Sequence, residues 1–74
     1  MYTSVIIIQI FYSKHALEKM DNLGLERIEI ENMILKGMKW KENNSEKWHA
    51  NMAGTECVFI KEGDTLFVIT VYKN

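Results

Sequence analysis

The chain has 74 residues, 47% hydrophobic and 26% charged, with one cysteine, no proline and a formal net charge of -1. These fractions argue against disorder and low-complexity chains, and a chain this short buries only about 60% of the surface it would expose unfolded. It therefore has room for one modest core, expected as one domain over residues 1–74, and no second domain or deep cofactor site; no cofactor is expected. Cys57 has no partner for an intrachain disulfide, which fits a reducing, cytoplasmic setting and leaves stability to packing, a partner or self-association.

Val5 to Tyr12 is the most apolar stretch and is far shorter than the roughly 20 residues a membrane-spanning helix needs. Met1-Tyr2-Thr3-Ser4 carries no positive charge ahead of it, so no signal peptide and no membrane partner are expected. Val5, four isoleucines and two aromatics predict a strand apolar on both faces, covered by neighbouring strands or a partner.

Ser13 is a good N-cap for a first helix, with Ala16, Leu17, Met20 and Leu23 at helical spacing and Gly24 as its stop. A second helix is predicted from Glu26 to Lys36, acids toward its start and Lys36 in its last turn, as the helix dipole favours. Ile30, Met33 and Ile34 form its buried side, with Ile28 or Leu35 on the flank, and the short Gly24-Leu25 join makes the two helices a hairpin.

From Met38 onward the pattern is β, with turn signals at Asn43-Asn44-Ser45, Ala53-Gly54 and Gly63-Asp64. Three-residue loops at the first two turns would set Trp40 opposite Trp48 and Ala50 opposite Val58. A two-residue loop at Gly63-Asp64 would face Ile60 with Phe67 and Val58 with Ile69. In that register Trp40, Trp48, Ala50, Met52, Val58, Ile60, Phe67, Ile69 and Val71 make the core face, which two helices can cover. The opposite face then carries Lys39, Lys41, Lys47 and Lys61 around His49, Asn51, Cys57, Phe59, Leu66, Val68, Thr70 and Tyr72, a locally basic surface despite the near-neutral total.

The fold class expected from this order is α+β, written β-α-α-β-β-β, an antiparallel sheet with a two-helix hairpin packed on one face. The stretch Tyr12-Ser13-Lys14-His15-Ala16-Leu17-Glu18-Lys19-Met20, then Gly24-Leu25-Glu26, the Gly37 break and the ending Val68-Ile69-Thr70-Val71-Tyr72, resembles a family of small uncharacterised prokaryotic proteins (domain of unknown function 4258). Their helical signature is His-Ala-x-x-Arg-Met, and the family looks like a branch of the RelE/ParE toxin superfamily. The resemblance covers about Phe11 to Tyr72 and implies a RelE/ParE-like toxin of a toxin-antitoxin system, with RNA or the ribosome and an antitoxin protein as partners. RelE-type members are ribosome-dependent mRNA endonucleases, so the resemblance implies an endoribonuclease if the chain is an enzyme. Lys19 stands where the signature has arginine, and Arg27 is the chain's single arginine, whereas RelE-type sites tend to use arginine beside lysine and an acid-base residue.

Three residues are candidates for acid-base chemistry. His15 lies in the first turn of helix one on the polar stripe with Glu18 and Lys19, where the positive helix end favours neutral imidazole; the alternative is a cap or a brace for a neighbouring strand. His49, between Lys47 and Asn51 on one strand face and opposite Phe59, would offer a neutral base beside ammonium groups and an aromatic platform; the alternative is a solvated sheet face. Tyr72 on that face could donate a proton or stack on a base, or simply shield the sheet edge. Lys19, Lys39, Lys41, Lys47 and Lys61 would hold phosphates and Phe59 would stack. His15, His49 and Cys57 lack metal-ligand spacing, and mid-strand Cys57 reads as a small buried hydrophobe rather than a nucleophile. The competing function is a non-catalytic module that docks a partner protein or forms a homodimer through its apolar strand or sheet face.

Overall fold

Ser13 ends the first strand and starts the first helix. In the computed structural model, which describes residues 9–74, its side chain accepts a hydrogen bond from the Ala16 amide at 2.9 Å and donates one to the Ile69 carbonyl at 2.7 Å. The cap thus starts α1 (Lys14–Leu23) and ties it to the sheet. At the other end Gly24 adopts φ 71°, and Leu25 N–H reaches back to the Met20 carbonyl at 2.8 Å, a Schellman-type stop. The second helix, α2 (Arg27–Lys36), begins where Glu29 reaches back to accept from the Glu26 amide at 2.8 Å.

The strands are β1 (Gln9–Tyr12), β2 (Met38–Lys41), β3 (Lys47–Met52), β4 (Thr55–Glu62) and β5 (Thr65–Lys73), in spatial order β1-β5-β4-β3-β2. The α+β class is observed, with β1 pairing β5 in parallel and every other pair antiparallel. The three turns separate four strands after the helices, one more than the expected order. β1 is observed from Gln9, so the part of the predicted first strand over residues 5–8 lies outside the described residues. Among the described residues no helix is long and apolar enough to cross a membrane.

Both helices lie on one side of the sheet. Ala16, Met20, Ile30, Met33 and Ile34 meet Ala50, Cys57, Phe59, Leu66, Val68 and Val71, with Ile10, Tyr12, Leu23, Leu25 and Trp48 at the margin. Each large side chain fully buried there contributes roughly 1.5–3 kcal/mol. The α2 core set is as expected, whereas Leu17 on α1 is exposed. Gly37 lets α2 turn into β2 at close quarters: a Cβ there would lie 2.5 Å from the Met33 carbonyl oxygen and 2.6 Å from that of Asn51.

The sheet registers differ from the expected ones by single residues, and each difference inverts a face. Glu42 N–H bonds the Lys47 carbonyl at 3.0 Å, closing a four-residue loop, so Trp40 pairs with His49 and Lys41 with Trp48. Ala53 and Gly54, with φ of 54° and 79°, make a two-residue turn that sets Ala50 opposite Cys57 and His49 opposite Val58. The Gly63-Asp64 turn has the expected length and Ile60 faces Phe67, but a bulge leaves Ile69 as an extra residue and pairs Val58 with Thr70. The helix side therefore holds Trp48, Ala50, Cys57, Phe59, Leu66, Val68 and Val71, while Trp40, Val58, Ile60 and Phe67 belong to the open side, contrary to the expected core face.

Candidate functional site

Three strands and one loop junction bring five polar side chains together on the open face. On β3, His49 and Asn51 point the same way because they are two residues apart, and the two-residue Ala53-Gly54 turn places Glu56 of β4 on that same side. The bulge at Ile69 then brings Tyr72 of β5 opposite Glu56. Glu42, directly after β2, reaches over from the other flank of β3.

Glu56 is the hub. Its Oε2 lies 2.7 Å from His49 Nδ1 and also accepts from the Tyr72 hydroxyl, and its Oε1 accepts from Asn51 Nδ2 at 3.2 Å. His49 Nε2 lies 2.5 Å from Glu42 Oε2. Trp40 stacks on the imidazole, with 5.2 Å between centroids and 5° between planes. The histidine is thus held by a carboxylate at each ring nitrogen and by an indole on its face.

The electrostatics follow from these contacts. Burial opposes charge on His49, but hydrogen bonds to Glu42 and Glu56 and their negative charges outweigh it and raise its pKa above the ordinary value. Burial likewise opposes charge on Glu56, and the hydrogen bonds from Tyr72, His49 and Asn51 outweigh it, so its pKa is lowered. The bond to Glu56, with burial behind it, pushes the Tyr72 hydroxyl up to about 12. The resulting species are an imidazolium with both N–H groups donating, a carboxylate and a neutral phenol. Such an array can donate protons and hold an anion; it offers no free imidazole lone pair while Glu42 and Glu56 are both in place. Among the described residues no group of three or more His, Cys, Asp or Glu side chains is placed to hold a metal ion.

The residues singled out in the sequence divide into three places. His49, Tyr72 and Lys47 share the open face. Lys39, Lys41, Phe59 and Lys61 face the helix side, where Lys39 and Lys61 flank an apolar groove of about 330 Å³ containing Trp48, Phe59, Leu35 and Ile34. Lys19 and His15 stand on α1, which packs on the side of the sheet away from His49, and the His15 side chain makes no hydrogen bond among the described residues. The expected face of four lysines around His49 is not assembled, because the shorter Ala53-Gly54 turn and longer β2-β3 loop invert β4 and β2 relative to β3. Glu42 and Glu56 were not among the candidates. In the two-residue register, the numbers 49, 51 and 56 fall on one face, and the positive-φ-tolerant Gly54 is the signal for that turn.

A family model described as a domain of unknown function (DUF4258) matches residues 12–73. No curated protein matches the sequence. Among solved structures, a chain of the RelB-RelE antitoxin-toxin complex from Methanococcus jannaschii is similar with a TM-score of 0.66 and 14% identity, covering 85% of this chain and 88% of that one. The conserved hypothetical protein HP0894 from Helicobacter pylori is similar with a TM-score of 0.58 and 12% identity, covering 90% of this chain and 94% of that one. At these identities the likeness is one of fold.

Proposed function

The chain belongs to the DUF4258 family, and from that premise we propose that it is a RelE/ParE-like toxin module of a toxin-antitoxin pair, acting on RNA through the open face of its sheet. The fold shared with a chain of the RelB-RelE complex supports the toxin-antitoxin setting. The observation that carries the RNA reading is His49, fixed by Glu56 at Nδ1 with Nε2 turned toward the more exposed Glu42.

An imidazolium is suited to a phosphodiester: it donates to a non-bridging oxygen and can protonate the departing 5′-oxygen as the 2′-oxygen attacks phosphorus, the 2′-hydroxyl proton passing to water. In this reading Glu56 orients the ring, Tyr72 and Asn51 orient Glu56, Trp40 offers an exposed indole on which a base can stack, and Lys47 adds positive charge on the same face. Of the sequence candidates, His49, Tyr72 and Lys47 remain in this proposed site. The test is growth arrest on expression together with mRNA cleavage in a translation extract. Wild type is expected to score in both and His49→Ala in neither, and equal toxicity of the two proteins overturns the assignment.

A second reading, docking of a partner protein or a second copy, is favoured by the groove on the helix side, where Leu35 is 65% exposed beside Trp48 and Phe59. Its measurement is the mass in solution at micromolar concentration, alone and co-expressed with the neighbouring gene product. A monodisperse monomer that captures no partner removes it.

A further inference from the structure

Glu42 and Glu56 hold the same imidazole but are not equivalent. Glu56 is inside the sheet, with its side chain 10% exposed and three donors on its oxygens; Glu42 is 41% exposed and has His49 as its hydrogen-bond partner among the described residues. The ring does not depend on Glu42 for its orientation, because the Glu56 contact at Nδ1 and the Trp40 stack already set its plane and direction. Nor does the backbone depend on the Glu42 carboxylate, since the loop is closed by the Glu42 amide on the Lys47 carbonyl. A side-chain rotation alone would therefore free Nε2–H.

We infer that the Glu42 carboxylate is an internal stand-in for a phosphodiester oxygen: it occupies the anion position at His49 Nε2, and a nucleic-acid phosphate takes that position by displacing it. This rests on the RNA reading above and adds to it a ligand position and a residue that competes for it. The exchange is matched in charge, one single negative charge replacing another, so His49 stays protonated and Glu56 stays paired. The surroundings suit the incoming group. Lys47 lies on the same face, and Trp40 is 41% exposed beside the imidazole. The charged and titratable groups facing His49 are Glu42, Glu56 and Tyr72, with Lys47 on its own strand, while the helices lie on the other side of the sheet.

The experiment measures binding of a short fluorescent single-stranded RNA to wild type, Glu42→Gln, His49→Ala and the double variant at fixed salt. Glutamine keeps the shape of the glutamate without its charge, so Glu42→Gln is expected to bind about tenfold tighter, the scale of one charged hydrogen bond no longer competed for. That gain must vanish in the His49→Ala background. Binding of Glu42→Gln equal to or weaker than wild type, with His49→Ala still impaired, makes Glu42 a fixed structural partner and overturns the inference while leaving the RNA reading intact. An equal gain with and without His49 is a net-charge effect and also overturns it. If His49→Ala binds RNA as wild type does, the RNA reading itself fails. Titrating wild type with inorganic phosphate while following the His49 ring resonances needs no variant: a shift at the Nε2 side is expected, and an unmoved ring counts against the site.

Discussion

Val68 and Val71 are both fully buried against the helices although they stand three residues apart on one strand. Strict alternation would put them on opposite faces; the extra residue Ile69 in the bulge restores Val71 to the core. The same bulge turns Tyr72 to the open face, where its hydroxyl meets Glu56. One inserted residue thus serves the core and completes the polar cluster, and Ser13 braces it by donating to the Ile69 carbonyl.

The cluster makes stability depend on pH in two directions. His49 is raised above its ordinary 6.5, so its contribution is present below that value and lost as pH rises through the higher folded value. Glu56 is lowered from 4.5, so its contribution is present above that value and lost as pH falls through the lower folded one. Melting temperature is expected to be highest between these ordinary values and to decline on each side. In His49→Gln the decline on the alkaline side should flatten, and an unchanged slope would remove His49 from the account.

Replacing Ser13 with alanine removes both the acceptor for the Ala16 amide and the donor to Ile69. A loss of about 1–2 kcal/mol is expected in denaturant unfolding, at the upper end of an ordinary cap because the bulge carbonyl also loses its donor.

Two backbone substitutions should act in opposite directions. Gly37→Ala places a methyl against the Met33 and Asn51 carbonyl oxygens and should cost about 1–3 kcal/mol. Ala53→Asn relieves an alanine held at φ 54° in a turn that favours Asn-Gly, and should gain on the order of 1 kcal/mol. Thermal melts of the two variants beside wild type check both signs.

Cys57 is fully buried, and burial pushes its thiol up to about 12. A thiol reagent at neutral pH is expected to leave the native protein unmodified and to label it fully in denaturant. Rapid labelling under native conditions would mean that β4 opens from the core.

What was legible in the sequence was local. The Ser13 cap, the Gly24 stop and the α2 set Ile30, Met33 and Ile34 are readable because a helix is specified by residues within a few positions of one another. The α+β class followed from the order of the segments. The assignment of strand faces was not local: it reverses with a single residue of turn length, and the loop after Glu42, the Ala53-Gly54 turn and the Ile69 bulge each differ by one from the simplest count. His49 and Tyr72 could be singled out as residue types, whereas Glu42 and Glu56 could not, because their relation to His49 exists only after those registers are set. The near-neutral charge with which the chain presents itself likewise has a tertiary meaning: Lys39, Lys41 and Lys61 lie on the helix side, and the open face pairs one imidazolium with two carboxylates.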